Sequence, residues 1–102
     1  MPKDMTQKKE YNYTIILSKQ ARKDAENLKK LGLKEKVDNI LNAMTIDPFI
    51  YSPPYEKLIG DYKGLYSRRI NIKHRIVYQV DELKKEIYII RMWTHYENII
   101  YY

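Results

Sequence analysis

A small set of side chains in the second half of the sequence could together move protons and hold a phosphate. They are Glu56, the arginines Arg68, Arg69 and Arg75 with His74 beside the last, and the pair His95-Tyr96. An imidazole exchanges protons easily because its unperturbed pKa lies near ~6.5. A guanidinium presents a planar fork of donors suited to phosphate. With a base to deprotonate a ribose 2′-hydroxyl, an acid to protonate the departing 5′-oxygen and an arginine to hold the phosphorane, RNA can be cleaved without a metal. Taken singly, each residue has an ordinary explanation: Glu56 as a solvated carboxylate, His95 as a structural or merely exposed ring, the arginines as surface ion pairs. The sequence has no HExxH, no DxDxDG loop and no carboxylate cluster at metal-ligand spacing, and Gly32, Gly60 and Gly64 are too scattered for a phosphate loop. No metal or cofactor is expected.

These residues need elements to place them. Tyr11, Tyr13, Ile15 and Leu17 alternate with Asn12, Thr14 and Ile16, a strand with one buried face. Ser18 offers an N-cap, and Ala21, Ala25 and Leu28 make a narrow apolar stripe on a helix from Lys19 to Leu31 that Gly32 ends. Leu33, Val37, Ile40, Leu41 and Met44 line one side of a second helix, stopped by Pro48, so the two form a hairpin. Asp47 to Glu56 carries Pro48, Pro53 and Pro54 and reads as a stiff connection, not an interior strand. Tyr66 to Ile72, Arg75 to Asp81 and Glu86 to Thr94 follow, an antiparallel meander of β-branched and aromatic residues with short polar turns. The expected fold is α+β: an N-terminal strand, a helix hairpin, then a three- to four-stranded meander, with the helices on one sheet face and the other left for ligand. Arg68 and Arg69 point to opposite faces, so one of them should join Arg75 on the open side.

Composition bounds the function. Lys and Arg number 19 against 13 Asp and Glu, a formal charge of +6 that favours polyanionic partners. Exposed helical lysines such as Lys29 and Lys30 read as solvated surface. The absence of Cys removes disulfides, thiolate nucleophiles and cysteine zinc sites, in keeping with a reducing cytoplasm. No stretch approaches the ~20 apolar residues of a membrane span, and Met1 to Glu10 is polar where a signal peptide would be apolar. A cytoplasmic protein is expected, with residues 1–10 a flexible extension, 11–96 one domain and 97–102 a tail.

The run from Tyr55 to Tyr78 resembles the Txe/YoeB toxins of type II toxin-antitoxin systems, within the RelE superfamily. The pattern is an E-x-L segment, here Glu56-Lys57-Leu58, then Gly64-Leu65-Tyr66-Ser67-Arg68-Arg69-Ile70, then His74-Arg75-Ile76-Val77-Tyr78, with His95-Tyr96 near the terminus. The resemblance covers essentially Tyr11 to Tyr96, departing at Ile59, where some relatives are basic, and in the continuation past Tyr96. It implies a RelE-like fold and a ribosome-dependent endoribonuclease that cuts mRNA in the ribosomal A site and so inhibits translation. Glu56 would be general base, His95 general acid and Arg75 the transition-state cation; Tyr96 would orient or stack on substrate, and Arg69, Arg68 and Lys57 would bind RNA phosphate. It also implies a Phd/YefM-type antitoxin as partner and allows a homodimer. A noncatalytic RNA or ribosome binder using the same basic face is the alternative. A DNA-binding regulator ranks last, because the helix hairpin spends its best-patterned face on the core.

Overall fold

The computed structural model describes residues 12–51 and 54–93. The expected extension at 1–10, the tail at 97–102, and His95 and Tyr96 lie outside the described residues. Within them the chain runs β1 (Thr14–Leu17), α1 (Lys19–Lys30), α2 (Lys34–Ile46), β2 (Tyr55–Lys57), a short 3-10 turn at Gly60–Tyr62, β3 (Tyr66–Arg69), β4 (Arg75–Asp81) and β5 (Glu86–Arg91).

Ser18 starts the first helix and ties it to the sheet. Its Oγ accepts from the Ala21 amide at 2.9 Å and donates to the Ile90 carbonyl at 2.8 Å, while its amide donates to the Ile89 carbonyl. One hydroxyl therefore satisfies an orphan amide of the helix N-terminus and a carbonyl at the end of β5. Gly32, at φ +76°, takes the left-handed turn that lets the chain reverse into α2. Pro48 follows α2 closely, and Asp47 has already gone extended.

The strands form one five-stranded sheet in the order β1-β5-β4-β3-β2. The meander is antiparallel, as expected, and the short β2 closes it at one edge. The first strand pairs in parallel with the last, Thr14 opposite Glu86 through Leu17 opposite Ile89, so the sheet is mixed. Ala21, Leu28, Val37, Ile40 and Met44 of the helices pack on Ile76, Tyr78, Ile87 and Ile89 of the sheet, with Ile70 and Met92 completing the core. The opposite face is not uniformly open: Ser67 and Val77, register partners there, have no exposure.

Candidate functional site

Strand register assembles the site. Glu56 of β2 stands opposite Ser67 of β3, and Arg69 of β3 stands opposite Arg75 of β4. Because side chains alternate along a strand, Glu56, Ser67, Arg69 and Arg75 share one face. Arg75 reaches diagonally across it: its Nη1 donates to Glu56 Oε1 at 2.8 Å and to Ser67 Oγ at 3.3 Å. Its side chain is 9% exposed against 62% for that of Glu56. The guanidinium is thus held in place while the carboxylate remains open to solvent and to a substrate. Arg69 is exposed and has no carboxylate partner among the described residues. Two arginines directly across a ladder repel unless something negative lies between them. Glu56 supplies part of that charge, and an incoming phosphate would supply the rest.

The turn joining β3 to β4 is built by Asn71, whose Oδ1 accepts from the amides of Lys73 and His74 at 2.9 and 2.8 Å. It brings Arg69 and Arg75 into register and leaves Ile72 87% exposed. His74 is buried and stacks on Trp93, ring centroids 4.5 Å apart. A second clamp acts on the same stretch. Asp24 of α1, almost without exposure, accepts from Arg91 Nε at 2.8 Å and from the Met92 amide at 2.9 Å. A buried carboxylate is tolerated only with such donors. The chain is therefore fixed up to Trp93, two positions before His95 in sequence.

Arg68 corrects an expectation. It is fully buried on the core side of β3, donating to the Pro48 carbonyl at 2.9 Å with its guanidinium 5.2 Å from the centre of the Tyr55 ring. The Tyr78 hydroxyl donates to the same carbonyl at 2.8 Å. Burial pushes the Tyr78 phenol up to about 12, against the opposing pull of Arg68. Arg68 is therefore removed from phosphate binding; it organises the Pro-rich connection, where Phe49, Tyr55 and Tyr66 pack edge to face. Lys57 is exposed but alternates away from Glu56, and it borders a separate groove with Gly60 and Gly64. The structure does not bring it to Arg75.

A cleft of about 880 Å³ extends from Glu56, Ser67, Arg69 and Arg75 to Lys36 and Asn39 of α2. The sequence reading missed Ser67, Asp24 and this helical wall. Ser67 shares the parity of Arg69, and Asp24 sits on the Ala21–Leu28 stripe, so both had a signal in their spacing. Lys36 had none, because an exposed helical lysine looks the same whether it faces water or a cleft. Among the described residues no group of three His, Cys, Asp or Glu side chains could hold a metal ion, and no helix is long and apolar enough to cross a membrane.

This arrangement, a solvent-accessible carboxylate beside an anchored guanidinium with a second arginine opposite, suits proton abstraction next to a phosphate. Known proteins share both sequence and architecture. "Toxin YoeB" of Synechocystis sp. (strain ATCC 27184 / PCC 6803 / Kazusa) is 33% identical over 73 residues, 72% of this chain and 80% of that protein. The YoeB/ParE toxin from Agrobacterium tumefaciens superposes with a TM-score of 0.74 at 27% identity, covering 81% of this chain and 99% of its own. YoeB of the YoeB-YefM complex from Staphylococcus aureus does so with a TM-score of 0.70 at 31% identity, covering 82% and 98%. A family model described as "YoeB-like toxin of bacterial type II toxin-antitoxin system" matches residues 18–96. This chain therefore belongs to the YoeB-like toxins of bacterial type II toxin-antitoxin systems.

Proposed function

We propose that this toxin is a metal-independent endoribonuclease that cuts mRNA in the ribosomal A site and thereby inhibits translation in the cytoplasm. The observation that carries the reading is the 2.8 Å contact between Arg75 and the exposed carboxylate of Glu56, with Arg69 in register beside them. Glu56 takes the proton of the ribose 2′-hydroxyl, whose oxygen attacks the adjoining phosphorus. Arg75 and Arg69 hold the charge that builds on the phosphorane. His95 protonates the departing 5′-oxygen, and Tyr96 orients or stacks on the substrate. The products are a 2′,3′-cyclic phosphate and a 5′-hydroxyl; proton exchange with water returns Glu56 and His95 to their starting states.

The antitoxin is of the Phd/YefM type, as in the Staphylococcus aureus complex, and an acidic segment that orders on binding suits the chain's +6 charge. The staphylococcal YoeB has also been solved as a dimer, and a homodimer is the assembly proposed for this chain. The test is to free the toxin from its antitoxin, add programmed ribosomes and map new RNA ends with chelator present. Expected are cuts in A-site codons with cyclic or 3′-phosphate ends, surviving removal of free divalent metal once ribosomes are kept intact. Tight binding without new ends would instead identify a noncatalytic ribosome binder.

A further inference from the structure

The cleft holds more than the Glu56–Arg75 pair needs. Its volume falls within the ~300–1,000 Å³ typical of sites for small ligands, so there is space beside a scissile phosphate for a neighbouring nucleotide. One wall is helical. Lys36, Asn39, Ile40 and Ala43 recur at spacings of three, one and three, on one side of α2, and all four line the cleft. Lys36 and Asn39 are exposed; Ile40 is buried beneath them. The carboxylates of α2 lie elsewhere: Asp38 is taken by Lys34 at 2.6 Å, and Glu35 does not line the cleft. Across from the helix, Ile72 stands 87% exposed at the end of a turn that Asn71 holds rigid. The charged lining consists of Lys36, Arg69 and Arg75 against the single carboxylate of Glu56, which Arg75 already engages.

We propose that Lys36 and Asn39 form the subsite for the nucleotide adjoining the cleavage point. Lys36 takes the next phosphate along the strand, Asn39 hydrogen-bonds a base edge, and Ile72 gives the unstacked base an apolar surface. A lysine is a point charge that binds phosphate whatever the base, whereas an amide with both donor and acceptor discriminates between bases. The two residues therefore have separable roles, affinity for Lys36 and sequence preference for Asn39. This inference rests on the ribonuclease reading of the same cleft.

The measurement is single-turnover cleavage on ribosomes carrying a panel of A-site codons, for the full-length toxin freed from its antitoxin. Lys36→Met should raise the half-saturating concentration about five- to tenfold on every codon at an unchanged maximal rate, and lower the salt dependence by about one charge. Asn39→Ala should compress the ratio between best and worst codons by about fivefold or more. Lys30→Met, the same loss of charge on α1 outside the cleft, should leave both readings unchanged; a loss equal to that of Lys36→Met would show only a net-charge effect and overturn the proposal. So would Lys36→Met weakening binding equally to ribosomes with an empty A site, which would assign it to ribosomal RNA. Weaker antitoxin binding with unaltered cleavage would assign the wall to the antitoxin and likewise overturn it. If the wild type cleaves and both variants match it, the subsite is wrong and the ribonuclease reading stands; if the wild type does not cleave, that reading itself fails.

Discussion

Glu56 and Arg75 are linked in the structure, yet their losses should differ in kind. Glu56→Gln keeps size and polarity and cannot accept the 2′-proton, so cleavage on programmed ribosomes should fall by ~10²- to 10⁴-fold with binding nearly unchanged. His95→Gln should behave alike if the imidazole is the acid. Arg75→Ala should lower both, because in the proposed mechanism the guanidinium would meet the phosphate in the ground state and in the phosphorane. Equilibrium binding measured beside single-turnover cleavage separates the cases, and wild-type cleavage by both Gln variants would remove the acid-base scheme. Arg68 belongs to another category altogether. Its truncation to Ala leaves the Pro48 carbonyl and the Tyr55 and Tyr78 rings without their cation, so its effect should appear as lost stability of ~3 kcal/mol or more in urea unfolding.

Among the elements, the junction of β1 and α1 has the most to lose from one atom. Ser18 Oγ caps the helix and also donates to the end of β5, the strand that leads toward His95. Ser18→Ala should cost ~1–2 kcal/mol, the usual loss of a cap with a second hydrogen bond, read as a lower urea midpoint at unchanged slope. Loss of cleavage beyond the loss of folded protein would show that β5 had also shifted; equal losses would confine Ser18 to stability. The legibility of the elements followed their autonomy. The bounds of β4 were readable because turn residues flank a β-branched run, the start of α1 because Ser18 caps it, and the end of α2 because Pro48 stops it. The span expected from Tyr66 to Ile72 shortened to Arg69, since the ladder ends where Asn71 draws the following amides into its own turn.

For the chain as a whole, the buried phenol of Tyr78 gives stability an alkaline edge. Its folded pKa of about 12 lies above the unfolded value of 10.0, so below pH 10 both states carry the proton and its contribution is complete. Above that, the unfolded chain releases a proton that the folded protein retains, and stability falls by about 1.4 kcal/mol per pH unit until the folded phenol ionises near 12. Urea midpoints measured from pH 9 to 11.5 should decline along this slope, and Tyr78→Phe should flatten part of it. An unaltered slope in the variant would place the titration on other tyrosines.

Motif identity, the order of elements and the membership of the helical core were local properties, written in residue types and in periods of two and 3.6. Glu56 and Arg75 were legible as candidates through the motif that carries them. Which of Arg68 and Arg69 faces the cleft was not, because alternation says only that they oppose each other; the choice is made by Pro48, Tyr55 and Tyr78 arriving from three other segments. The parallel pairing of β1 with β5 was equally hidden, since nothing within Thr14–Leu17 records a partner some seventy residues away. Lys36 and Asn39 show the same limit. Helical period locates the face that must be buried, but what the remaining faces look upon depends on the packing of α2 against a sheet edge, and so the second wall of the cleft exists only once the chain has folded.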